Sequence, residues 1–234
     1  MKRYLLASLA LVVLFLNGCT AFDKKIAELT ETIKKLEARI EALEKVIAPH
    51  KEEPAKQQAA YDIPVGDSYV LGKKEAPVHI TVFSNFQCPY CARADKALRD
   101  LMVDPKLNEK VNVVFKHFPF ERHPEARPAS KAALAAGEQG KFWEMSEKIF
   151  THQNDMNQKN YEKWAKEIGL NVDKFKKDLK DNDAKYNEQI EKDIKLGAEA
   201  AKLEGTPWIL VGGWLLEGDI SADTIRKMIE EKHL

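Results

Sequence analysis

A chain of 234 residues has room for one good-sized domain plus extensions, and its 44% hydrophobic and 32% charged residues exclude wholesale disorder. Lys and Arg number 37 against 37 Asp and Glu, a balance that excludes the basic footprint of a nucleic-acid binder. With three cysteines it is neither a disulfide-stapled miniprotein nor a multi-zinc scaffold, so each cysteine needs its own account.

Lys2 and Arg3 stand before an apolar run from Leu5 to Leu16. As a helix that run rises ~18 Å, short of the ~30 Å hydrocarbon core, which is the layout of a secretory signal. Leu16-Asn17-Gly18-Cys19 then resembles the lipobox of bacterial lipoproteins. The resemblance implies removal of residues 1–18, acylation of Cys19, and a lipid-anchored protein on the extracytoplasmic side of a bacterial cell envelope, the periplasmic side if the cell is Gram-negative. An ordinary signal peptide containing a cysteine, or an uncleaved anchor, is the alternative.

Over 19–48 the spacing predicts a coiled-coil helix. Ile26, Leu29, Ile33, Leu36, Ile40, Leu43 and Ile47 alternate steps of three and four, with isoleucine at every a and leucine at every d position. An isolated helix of this size is marginal in water, so association into a homo-oligomer, dimer or trimer, through residues 26–47 is expected. A lone amphipathic helix or a charged spacer is the alternative. From 49 to 60 the pattern gives way to Pro, Lys, Glu, Gln and Ala, a linker to a domain at 61–234.

Val78 to Phe83 is short and β-branched, a strand. Cys88-Pro89-Tyr90-Cys91 follows, and Cys91, Ala94, Leu98, Leu101 and Met102 recur at helical spacing from about Pro89. Val111 to Lys116 reads as a second strand. About 124–203 is helical in composition, broken near Gly140, Gly169 and Asn182. Trp208 to Val211 and Trp214 to Leu216 flank Gly212-Gly213, a hairpin signal, and Ser221 is placed to cap a final helix. The fold class is α/β with a helical insertion.

Two cysteines three apart at a helix start sit where unpaired N–H groups and the dipole favour an anion. Cys88 is therefore the expected nucleophile and Cys91 the thiol that resolves its mixed disulfide. A zinc half-site lacks partners, because the six histidines show no paired ligand spacing, so no metal is expected. A structural disulfide would close a very small loop and constrain little. No separate cofactor is expected; the redox group is the Cys88–Cys91 pair itself.

Phe86-Gln87-Cys88-Pro89-Tyr90-Cys91, Phe118-Pro119-Phe120, His123-Pro124-Glu125-Ala126-Arg127, Gly140-Lys141-Phe142-Trp143 and Gly205-Thr206-Pro207 together resemble a DsbA-family thioredoxin-fold protein, from roughly Tyr69 to Leu234. The resemblance implies a thioredoxin fold with the helical block inserted between the second and third strands. It also implies a cis-proline loop at Thr206-Pro207 facing the cysteines and offering backbone groups to a client strand. The activity implied is forming, reducing or isomerising disulfides in client proteins, with a membrane redox partner resetting the site.

Three departures stand out. Many relatives carry a buried acid six residues before the first cysteine, where this chain has Val82, and Asn85 replaces a frequent Asp. Tyr90 stands where strongly oxidising relatives carry His, so a less oxidising couple is expected. Lys116 is the one substitute for the acid in sight, although a strand-end lysine usually reaches solvent. His117 and His123 are assigned to the loop after the second strand, and Phe142, Trp143, Phe150 and Trp164 to core packing. From another functional class, a non-catalytic coiled-coil lipoprotein scaffold with a structural disulfide remains the alternative.

Overall fold

The computed structural model describes residues 22–42 and 61–232. The signal segment, Cys19, Leu43, Ile47 and the linker expected at 49–60 lie outside the described residues. The chain divides into two units, Met1–Gln57 and Gln58–Leu234.

In the first unit, residues 22–42 form helix α1. Thr30 and Thr32 hydroxyls donate to the carbonyls of Ile26 and Glu28, both at 2.8 Å, and Lys35 pairs with Glu31. Ile26, Leu29, Ile33, Leu36 and Ile40 are each about half exposed. The heptad stripe is thus a continuous apolar face on one helix, in contact with solvent. Among the described residues no helix is long and apolar enough to cross a membrane.

The second unit runs β1 (Val70–Leu71), β2 (Val78–Ser84), α2 (Pro89–Met102), β3 (Val111–His117), α3 (Ala126–Gly137), α4 (Phe142–Thr151), α5 (Gln158–Glu167), α6 (Val172–Asp181), α7 (Asp183–Ala201), β4 (Trp208–Val211), β5 (Trp214–Leu215) and α8 (Ala222–Glu231). The sheet order is β1-β3-β2-β4-β5, with β2 and β3 parallel and every other pair antiparallel. This is a thioredoxin fold whose helices α3 to α7 are inserted between β3 and β4. Ser84 lies opposite His117, so β2 and β3 end together immediately before the cysteine pair.

Both central strands are rich in Val, Ile and Phe and buried on both faces, as a parallel pair covered by helices requires. Ile80, Val82 and Ser84 alternate onto one face and Phe83 onto the other. In the insertion, Ala129, Ala132, Ala133, Ala135 and Ala136 are wholly buried. Their small side chains let α3 pack closely against its neighbours α4, α6 and α7. Asn157 and Asn171 cap α5 and α6, accepting from the N–H groups of Asn160 and Lys174, and Ser221 caps α8 by accepting from Thr224. Gly212 and Gly213 both have positive φ, 55° and 85°, the backbone a two-residue hairpin with the right twist demands.

The structure corrects the sequence reading in three places. β1, a two-residue strand defined only by its pairing with β3, was not foreseen. The strand β3 extends to His117, which is buried in the core and not in a loop. Lys116 does not reach solvent: its residue is 4% exposed, its ammonium donates to Val65 O at 3.2 Å, and it stands 3.6 Å from the carboxylate of Asp193 on α7. The pairing partner is far away in sequence, so strand-end position alone could not reveal it.

Candidate active site

Cys88 is the N-cap of α2, with extended backbone at φ −87° and ψ 122°, and Pro89 opens the helix. Its φ is preset for a first turn and its missing N–H is one no helix start uses. The first turn carries no acidic residue, so nothing opposes an anion at the cap. Cys91 falls on the inward face with Ala94, Leu98 and Leu101 and is wholly buried. The sequence pattern of apolar residues thereby decides which thiol sits at the helix cap and which is turned into the core.

The peptide bond Thr206–Pro207 is cis, and Cys88 Sγ lies 3.3 Å from Thr206 O, to which the thiol donates. Ionised Cys88 accepts foremost from the Cys91 thiol, then from the main chain of Cys91, the Thr206 side chain and the main chain of Tyr90. Against the opposing pull of burial these bonds hold its pKa down to about 5. Thr206 Oγ1 is buried without another partner, so its hydroxyl is available for that thiolate. Cys91 moves the other way: burial first, then its bond to Cys88, push its thiol well above the ordinary range. One sulfur is set up to attack and the other to keep its proton until needed.

Asn85, a residue the sequence singled out, knits the loop together. Its N–H points at Cys91 Sγ at 3.4 Å, its Oδ1 accepts from Gln87 N at 2.9 Å, and its Nδ2 meets His123 Nδ1 at 2.9 Å. His117 is held neutral, its pKa lowered to about 3 by burial and by the charge of Lys116. Its ring packs on Phe115 and Phe142. Tyr90 is exposed, with the Arg93 guanidinium 4.4 Å over its ring. Beside it a groove of about 610 Å³ runs past Thr206 and Pro207 to Leu216 and Asp219. Among the described residues no cluster of three or more His, Cys, Asp or Glu side chains is placed to hold a metal.

Gln153 was missed by sequence reasoning. It lies in the 3-10 turn Gln153–Asp155 after α4, and its Nε2 donates to Phe86 O at 2.7 Å and Cys88 O at 2.9 Å. In return Gln87 Oε1 accepts from Glu125 N at 2.9 Å, so loop and insertion are tied in both directions. No periodicity or motif marks a lone glutamine in a helical block. The amide covers two carbonyl dipoles whose negative ends lie near the Cys88 cap. Gln153→Met, similar in length but without the donor, is expected to raise the Cys88 pKa by roughly 0.5–1 unit. Thiolate absorbance titration at 240 nm measures this, and an unchanged curve would remove Gln153 from the electrostatics of the site.

A family model described as Thioredoxin matches residues 65–231. The chain is 36% identical over 146 residues to the Na(+)/H(+) antiporter NhaA 3 of Salinispora tropica, covering 62% of this chain and 22% of the antiporter. The transport in that name is that protein's. The chain spans only about a fifth to a quarter of the length of the curated relatives it matches. Among solved structures it is similar to oxidised BdbD from Bacillus subtilis, with TM-score 0.65 and 23% identity over 74% of this chain and 96% of that one. It is also similar to the thiol-disulfide exchange protein alpha-DsbA2 from Wolbachia pipientis, with TM-score 0.63 and 21% identity over 83% and 98%. At these identities the structural likeness establishes the shared DsbA-like fold.

Proposed function

The chain belongs to the thioredoxin family, and from that premise we propose that it is an extracytoplasmic thiol:disulfide oxidoreductase acting on other proteins. The observation that carries the reading is the Cys88 sulfur at the start of α2, 3.3 Å from Thr206 O, with Cys91 buried one turn behind it. The Cys88 thiolate attacks a client disulfide and forms a mixed disulfide. Cys91 then attacks Cys88 Sγ, closing the Cys88–Cys91 bond and releasing the client thiol. Run backwards, the same steps oxidise a client dithiol. The cis-proline loop and the groove beside Tyr90 offer an extended client strand backbone partners and an apolar wall.

Insulin reduction with dithiothreitol tests the reading: the parent domain accelerates precipitation of the B chain, and Cys88→Ser is expected to do no better than buffer. Equal rates for the two would favour the scaffold reading, in which the disulfide is structural.

Around that chemistry we place three further elements. Cys19, acylated after removal of residues 1–18, anchors the protein to an envelope membrane on its extracytoplasmic side, the periplasmic side in a Gram-negative cell, and a membrane redox partner resets the cysteine pair. The stalk associates through Ile26 to Ile47, a reading supported by the half-exposed stripe on α1. Two or three catalytic domains then face one client, and the raised effective concentration favours reshuffling of wrong disulfides over simple oxidation. Removing Asp23 to Ala48 from the soluble mature protein is expected to give monomers that still reduce insulin but no longer refold a scrambled-disulfide substrate. Sedimentation and refolding yield decide it; a monomeric parent, or undiminished refolding after deletion, counts against the stalk's role.

A further inference from the structure

Resolution of the mixed disulfide requires Cys91 to lose a proton while wholly buried. Three groups surround its sulfur. The Asn85 N–H can only donate, and Cys88 is itself bound to the client at that moment. The third is the Ser84 hydroxyl, placed to stabilise ionised Cys91 and able to accept one proton while passing on another.

Ser84 also lines a small cavity, about 10 Å³ for the centre of a water molecule, the size that holds about one water. Apolar side chains, Val82, Val113 and Phe115 among them, form much of its wall. Three polar side chains, Asp95, Arg99 and Trp143, complete it. Trp143 Nε1 is buried with no hydrogen-bond partner, a donor available to a water there. Asp95 lies four positions after Cys91 on α2, hence on the same side of the helix one turn along. Its side chain is only 11% exposed. Arg99 Nε holds Oδ2 at 2.7 Å, whereas the second contact, Nη2 to Oδ1, is long at 3.3 Å, so Oδ1 has capacity for another donor.

We infer that Asp95 accepts the Cys91 proton during resolution, relayed through Ser84 and a water in this cavity. The inference rests on the exchange chemistry proposed above. Cys91 S–H gives its proton to the relay, and its electron pair forms the Cys88–Cys91 bond. The bond from Cys88 Sγ to the client sulfur breaks, and the client leaves as a thiolate that takes a proton from water. The cysteine pair is oxidised to a disulfide and the client sulfur is reduced. In the reverse direction Asp95 returns the proton to Cys91. The charged groups facing Asp95 are Arg99 from its own helix and Glu147 from α4; the sheet side offers Ser84 among apolar residues. Burial raises the Asp95 pKa above the ordinary carboxylate value, which suits a group that must hold a proton briefly.

The test uses the reduced protein and 5,5′-dithiobis(2-nitrobenzoate) in stopped flow. Attack by Cys88 releases the first thionitrobenzoate, and resolution by Cys91 releases the second. Asp95→Asn is expected to leave the first phase within about twofold of the parent and to slow the second at least ~10-fold. The pH profile of the second phase is expected to lose the inflection of a carboxylate, and Asp95→Glu to restore part of the rate. Ser84→Ala, which leaves the Arg99 pair intact, should slow the second phase in the same way and covers a loss of folding in Asp95→Asn. A second phase within twofold of the parent in either folded variant, or an unaltered pH profile, overturns the relay. A parent lacking the first phase overturns the exchange reading, and the relay with it.

Discussion

Cys91→Ser is expected to accumulate mixed disulfides with client proteins, whereas Cys88→Ser is expected to accumulate none. With its pKa near 5, Cys88 is almost fully thiolate at neutral pH, against a few per cent for an ordinary cysteine. Removing Cys91 removes the group that closes the second step and leaves the first intact, so the intermediate has no internal exit. Serine at this position keeps an O–H that can donate to the Cys88 thiolate, so the attacking sulfur stays ionised in the variant. Non-reducing gels of membrane extracts count the adducts, and iodoacetamide labelling at pH 6 separates the two thiols. Adducts in Cys88→Ser and none in Cys91→Ser would falsify the assignment of roles. The expected difference in labelling rate between the two sulfurs is about 100-fold or more, since Cys88 is ionised and keeps a little exposure at the helix cap whereas Cys91 is protonated and wholly buried.

The second large effect lies on the other face of the sheet. Asp193 Oδ2 accepts from His117 N at 2.8 Å while its Oδ1 faces the buried Lys116 ammonium at 3.6 Å. On the other side Phe118 N donates to Ser84 O at 2.8 Å, so the end of β3 is fastened both to α7 and to the strand that carries the cysteines. Asp193→Ala leaves a buried lysine and a buried N–H without their partner, which costs about 3–5 kcal/mol. For a domain of this size that is a fall in melting temperature on the order of 10 °C. Replacing both partners, Lys116→Met with Asp193→Asn, should recover much of the loss, because no charge then remains buried and the His117 N–H keeps an acceptor.

The pH dependence of that group has a definite sign. Burial lifts the Asp193 carboxyl to about 6, above the ~3.9 of an unfolded aspartate. The native domain therefore binds this proton more tightly than the unfolded chain. Its contribution to stability is fully present below about pH 4 and is lost as pH rises through about 6. Asp193→Asn keeps an oxygen acceptor and removes the proton uptake, so its denaturation midpoint should vary less between pH 4 and 6 than the parent's. An identical profile would mean Asp193 is ionised throughout.

Much of the site was legible because its signals are local. A β-branched run, a proline between two cysteines and apolar spacing beyond them together specify β2, the turn and α2. The same holds for the Gly212-Gly213 hairpin and for Ser221, whose side chain accepts from an N–H three residues on. The unread parts are those in which one residue gains its meaning from another far along the chain. Lys116 looks like a solvated strand end until Asp193 is brought to it, and Gln153 is an unremarkable amide until its turn is packed under Phe86 and Cys88. β1 has too few residues to show alternation and exists only as a partner of β3. Asn85 could be recognised as a departure from Asp, but not that its amide joins both Gln87 and His123.

The two outermost strands, β1 and β5, are each two residues long. A protein that meets unfolded chains encounters extended segments seeking a row of free N–H and C=O groups, and a long open sheet margin would recruit them into aggregates. Here both margins are too short to template such growth, and the Tyr61 N–H, donating to Gly213 O at 2.6 Å, occupies part of the β5 hairpin as well. Under the proposed function, the loop at Thr206–Pro207, beside the Cys88 sulfur, is the place offered to a client backbone. In an oxidoreductase acting on unfolded chains, such short rims would keep clients from adding to the sheet and so favour their release after exchange.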